Sequence, residues 1–243
     1  MYAIFLKEIN AFFSSLVGYI AVGIFLLMMG LFLWIFPDTS LLESGYASLD
    51  PLFTTAPNIF LFLIPAITMR SFAEELQTGT IELLATRPIS DMAIILGKFG
   101  ACVLLLAMSL LPTVIYYVSV YYLAAPTGNV DTGAVIGSYM GLLLLGAAFI
   151  SVGLWASSLT NNQIVAFIAA VFGCFMLYLG FELISTLPIF ANGLSTLVEN
   201  LGMNAHYNSL GRGLIDSRDV LYFLSVIALF LGLTRLQLER RTW

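Results

Sequence analysis

Charge is scarce in this chain. Of 243 residues only 9% are charged, while 60% are hydrophobic. Soluble globular proteins carry about 25% charged and about 45–50% apolar residues. No water-soluble fold of this length can bury so much apolar surface, so the composition excludes a soluble globule and makes the bilayer the solvent. Histidine occurs once and cysteine twice. Cys102 and Cys174 fall inside apolar runs and read as small buried hydrophobes, not as a disulfide. Together with one histidine they offer no zinc-ligand spacing. Basic clusters that would suggest a nucleic-acid partner are missing. H-E-x-x-H, G-x-S-x-G, Ser-x-x-Lys and the phosphate-binding G-x-x-x-x-G-K-[ST] are also missing, and Gly97-Lys98 lacks both the earlier glycine and the following hydroxyl. The chain therefore carries no recognisable catalytic set and no ATP-binding loop of its own. His206 has no general-base partner that spacing can identify, and it reads as exposed or locally hydrogen-bonded.

What is present is a series of apolar runs. A spanning helix needs about 20 apolar residues. The pattern predicts six spans, at 15–36, 55–72, from the end of a polar stretch to 123, then 134–156, 164–184 and 220–236. The uncharged stretch between Asp131 and Glu182 is too long for one helix, and "SSLTNNQ" breaks it. The N-terminal apolar run exceeds a cleavable h-region and reads as a retained first span. Six spans put both termini on one side. Lys7, Arg70, Arg87, Lys98, Arg235, Arg240 and Arg241 fall on that side, and Arg212 and Arg218 on the other, so seven against two predicts cytoplasmic termini. The outer segments are then 37–54, 124–133 and 185–219. The last is too apolar for a free loop, and short helices dipping into the outer leaflet are expected. At the front, Ile4, Phe5, Ile9, Phe12 and Phe13 surround Lys7, Glu8 and Asn10 at near-helical spacing, which predicts an interfacial helix over 1–14. Gly137 and Gly141 form one G-x-x-x-G, which permits close helix approach. Span interiors are nearly free of ionisable groups. Glu182, toward the outer end of span five, is the one acidic candidate, which weakens an ion-coupled carrier.

The polar stretch "AEELQTGTIELLATRPISD" lies between two spans. Ser71 and Glu74 fit the capping box S-x-x-E, so a short helix is expected to start there. Gly79 and Thr80 interrupt it. Ile81 to Thr86 can form one or two turns with Glu82 near their positive end. Pro88 disfavours helix at Arg87. Ser90 can cap the following span, with Asp91 in its first turn. The predicted result is a small rigid knob.

These residues carry a resemblance. Arg70, Phe72-Ala-x-Glu75, Gly79-Thr80-x-Glu82-Leu83-Leu84, Arg87-Pro88-Ile-Ser90 and Gly97-Lys98 resemble the signature of type-2 ABC transporter permeases over nearly the whole chain. Residues 206–231, with His206, Tyr207, Gly211, Arg212, Gly213, Asp216 and Asp219, and residues 5–20 are similar to the branch that holds the gliding-motility-associated permease subunit of Bacteroidetes together with related copper-nitrosation and uncharacterised exporters. His206-Tyr207 stands where His-Phe is common. The resemblance implies one all-α polytopic transmembrane domain over 1–243, with a cytoplasmic coupling segment over 71–91 and an extracytoplasmic capping segment over 185–219. In it Glu74, Glu75, Gly79, Thr80, Glu82, Leu83, Leu84, Arg87 and Pro88 contact a separate P-loop ATPase, present in two copies, which alone holds ATP and Mg²⁺. It further implies a second membrane subunit, a different chain with a large extracytoplasmic portion, and an inner-membrane location. An ion-coupled carrier or channel, and an intramembrane enzyme, stay open as alternatives on the residues alone.

Overall fold

A computed structural model of the chain describes residues 1–42, 45–80, 90–187, 195–212 and 216–240, the side chains of Val17 and Asp38 excepted. The described residues are helical, with no strand. The interfacial segment forms α1 (Tyr2–Ser14), and α2 (Leu16–Trp34) follows after Ser15. Ser15 is extended at φ −104°, and the two helices meet at 67°. Then come α3 (Asp50–Thr68) and α4 (Arg70–Gln77). A third stretch joins α5 (Asp91–Leu110), a 3₁₀ turn at Leu111–Thr113 and α6 (Val114–Leu123). Beyond it run α7 (Thr132–Leu159) and α8 (Gln163–Phe175), the latter continued by a π-helical turn, Met176–Gly180, into α9 (Phe181–Ser185). Two short helices, α10 (Ser195–Glu199) and α11 (Met203–Leu210), precede α12 (Ser217–Glu239).

Five helical runs are long and apolar enough to span a membrane: Asp50–Gln77, Asp91–Leu123, Thr132–Leu159, Gln163–Ser185 and Ser217–Glu239. The bent pair α1–α2 makes a sixth if counted as one broken span. The expected polytopic all-α fold is therefore present; the second, fourth, fifth and sixth runs extend beyond the predicted bounds, whereas α2 stops at Trp34, short of the predicted 36.

The second span needs most revision. Its helix begins at Asp50, not 55, because Pro51 sits in the first turn, where its missing N–H has no partner to lose. Pro57 lies inside the helix and frees the carbonyl of Phe53. That carbonyl accepts a 2.7 Å hydrogen bond from the buried Tyr207 hydroxyl of α11. Burial pushes the Tyr207 phenol well above its ordinary range and keeps it a donor. The helix also does not restart through a capping box at Ser71. It continues through Met69 into α4, and Ser71 lies within it with no capping bond at its start. Pro112 marks a break in the third span that apolar composition hides.

The hub is α7, whose most apolar stretch is 72% buried, against 28% for the runs containing α8 and α12. Its small residues let neighbours come close. Gly141 lies under the Tyr207 ring and Gly153 under Thr68 of α3. The apolar faces of α8 and α12, with Ile164, Ile168, Phe172, Leu221, Leu224 and Leu229, stay exposed. One end of the bundle, here the terminal end, gathers α1, α4, the start of α5, the α7–α8 turn and the end of α12. The distal end carries α10, α11 and the start of α12.

Candidate functional site

At the terminal end a lysine is buried within apolar helix packing. Lys98 of α5 is 2% exposed. Its three N–H donors are all used: 2.9 Å to Glu8 Oε1 of α1, 2.9 Å to Glu75 Oε1 of α4, and 2.7 Å to the Ser71 carbonyl. The Phe72 ring lies 5.2 Å from the same ammonium. Lys7 adds a second cation, 3.1 Å from Glu75 Oε1 and 3.8 Å from Glu8 Oε1. Two acids and two bases thus form one neutral cluster joining α1, α4 and α5. Glu75 Oε2 is buried without a hydrogen-bond partner among the described residues.

A second tie fixes the start of α4. Ser157 Oγ of α7 accepts from the amides of Phe72 and Ala73, each at 3.0 Å, and donates to the Met69 carbonyl at 2.9 Å. This side chain enters the backbone ladder where the helix passes Met69, and it supplies the partners that a break would leave orphaned. The helix ends at Gln77, and Thr78 Oγ1 bonds the Glu74 carbonyl. Gly79 then takes φ +71°, a left-handed conformation that glycine adopts without strain. Thr80 Oγ1 meets Thr78 Oγ1 at 3.0 Å. Ser90 caps α5 through Ala93 N, with Asp91 in the first turn, matching the sequence expectation.

The candidate coupling residues therefore separate by direction. Glu74 is exposed and makes no ion pair among the described residues, whereas Glu75 is turned inward onto Lys98 and Lys7. Gly79 and Thr80 are exposed at the helix end. Glu82, Leu83, Leu84, Arg87 and Pro88 lie outside the described residues. A cleft of about 500 Å³ opens between α1 and α4, lined by Lys7, Phe12, Arg70, Glu74, Thr78 and Thr80.

At the distal end His206 Nδ1 lies 2.7 Å from Asp219 Oδ1, and Nε2 lies 2.9 Å from the Asn200 carbonyl. The ring stacks on Tyr222 at 3.9 Å between centroids, and Tyr222 donates to the Leu201 carbonyl at 2.6 Å. Both ring nitrogens are engaged within the protein, so His206 ties α11 to α12 and to the end of α10. Asp216 caps α12 through Arg218 N. Gly211 ends α11 and Arg212 follows it, while Gly213 lies outside the described residues. Glu182 accepts from Asn204 Nδ2 at 2.6 Å, which ties α9 to α11 at the distal boundary. Cys102 and Cys174 are free and buried.

Sequence reasoning missed Lys98 and Ser157 as structural centres. Lys98 did carry a signal, as the one charge between Asp91 and Asp131, near the terminal end of an apolar run. Its partners, 90 and 23 residues away, have no signature in spacing. Ser157 looked like part of a polar break and gave no hint of its target.

No curated protein is matched by this chain. A multi-pass helical bundle whose second span runs on into a helix, α4, braced against α5 and α7 suits the membrane subunit of a transport complex. Residues 2–242 match the family described as ABC-2 family transporter protein, and the chain belongs to that family.

Proposed function

We propose that this chain passes the movement of a separate ATPase into the membrane through its 71–91 segment, where that ATPase docks. Family membership makes it a multi-pass membrane permease of an ABC complex; in the reading proposed here ATP is hydrolysed on a different subunit. The observation that carries the docking site is the bracing of α4. This helix continues from α3, is tied to α7 through Ser157 and is tied to α5 through Lys98. A push at its tip reaches three spans at once.

The finer reading follows the resemblance. The terminal end is cytoplasmic and the membrane is the bacterial inner membrane. Lys7, Arg70, Lys98, Arg235 and Arg240 cluster at that end, against Arg212 and Arg218 at the other, which supports this orientation. Two ATPase copies and a second membrane chain with a large extracytoplasmic part complete a gliding-motility-associated complex. It exports a substrate or transmits a mechanical signal.

The test compares co-purification of the ATPase with wild type, Glu82→Lys and Gly79→Val, alongside activity in cells. Charge pairs desolvated at an interface couple by about 1.5–7 kcal/mol. Glu82→Lys is therefore expected to weaken docking at least about tenfold without unfolding the spans. Gly79→Val acts by strain, because valine at φ +71° costs on the order of 1–3 kcal/mol. Full ATPase recovery and normal activity in both variants would reduce the segment to a linker. Activity driven by an ion gradient without ATP would favour a carrier instead.

A further inference from the structure

Burying Lys98 with two carboxylates has no evident advantage for stability. Replacing a buried ion pair by apolar residues of similar volume is often neutral or stabilising. Direction is what the cluster adds to an apolar contact. Each of the three N–H donors of Lys98 fixes one acceptor, and those acceptors come from α1 and α4, two helices joined in sequence only through the length of α2 and α3. A greasy contact would let α1 slide on α5, whereas a three-way ammonium holds one register. Packing agrees: Gly97, beside Lys98, is so close to α1 that a Cβ there would lie 3.0 Å from Ile4 Cγ2. Charge balance agrees as well, since Lys7 offsets the second carboxylate and leaves the cluster neutral.

We infer that Lys98 is a positioning residue that clamps α1 to α4 across α5, so that the bent N-terminal helix and the ATPase-docking helix move as one body. This rests on the reading that α4 leads to the docking segment. Glu75 then serves the clamp and not the partner, while exposed Glu74 one residue earlier faces outward. A displacement imposed on α4 is carried to α1 and, through the 67° bend at Ser15, to α2. The clamp thereby links a fourth span to the docking segment.

The test uses the full chain in nanodiscs, with Cys102 and Cys174 replaced by Ala and spin labels on cysteines at the exposed positions Asn10 and Gln77. Four versions are compared: wild type, Lys98→Met, Glu82→Lys, and the triple variant Glu8→Gln/Glu75→Gln/Lys98→Met, which leaves no buried charge unpaired. Wild type and Glu82→Lys are expected to give one narrow α1–α4 distance. Lys98→Met and the triple variant are expected to give a broadened one, and the triple variant to bind the ATPase about tenfold more weakly at equal protein recovery, a typical scale for coupling between sites. An unchanged narrow distance in the triple variant overturns the clamp. Broadening with undiminished ATPase binding overturns its positioning role. Undiminished binding by Glu82→Lys counts against the docking reading, and the distance comparison still decides the clamp.

Discussion

Gly153→Leu is expected to abolish recovery of folded protein, whereas Gly232→Leu is expected to leave it unchanged. Both glycines lie in spanning helices, α7 and α12. At Gly153 an added Cβ would fall on Thr68 Oγ and 2.9 Å from Thr68 Cβ. Thr68 cannot swing away cheaply, because its hydroxyl bonds the Ile64 carbonyl at 2.9 Å within fully buried packing. The backbones of α3 and α7 would have to part, in the most buried helix of the bundle. Even one methyl forced into a packed interior costs about 1–3 kcal/mol, and leucine adds three more carbons. Nothing lies within 4 Å of a Cβ at Gly232. Monodisperse yield after mild detergent extraction, compared across Gly153→Ala, Gly153→Leu and Gly232→Leu, reads the difference. Equal yields would contradict the close α3–α7 packing.

Ser157→Ala is expected to loosen α4 while leaving the bundle folded. The substitution removes one oxygen and deprives two buried amides, of Phe72 and Ala73, and the half-buried carbonyl of Met69 of a partner. A buried polar group left unpaired costs about 1–3 kcal/mol. About 2 kcal/mol at this tie corresponds to a roughly thirtyfold rise in local opening, readable as faster hydrogen exchange over 70–77. Exchange in α8 and α12 should not change. Protection unaltered in α4 would show that the helix stands without Ser157.

Neither Gly153 nor Ser157 announces its role in the sequence, because the partner of each lies on another helix. The spans were legible because hydropathy is a local property, and so were Ser90 as a cap and Gly79 as a break, since each acts within a few residues. The capping box at Ser71 misled because a residue 86 positions away, Ser157, supplies the hydrogen-bond partners that a local cap would have provided. Nothing near Pro57 points to Tyr207, which lies 154 residues from Phe53 and takes the carbonyl that Pro57 frees. Lys98 entered the sequence reading only as one of the basic residues on the terminal side and as half of Gly97-Lys98; its role depends on which helices meet there. His206 reads in the sequence as exposed or locally hydrogen-bonded; it is half-buried, and its bonds to Asp219 and to the Asn200 carbonyl depend on how α11 lies against α12 and the end of α10.

The central claim is that a partner ATPase touches the segment beyond α4. Site-specific photo-crosslinking in cells reads this contact, with the crosslinker placed at exposed Thr80 and, as a distal control, at exposed Asn129 between α6 and α7. An ATPase adduct is expected from position 80 and none from position 129. An ATPase that co-purifies with the chain but gives no adduct at 80, or an adduct from position 129, would contradict it.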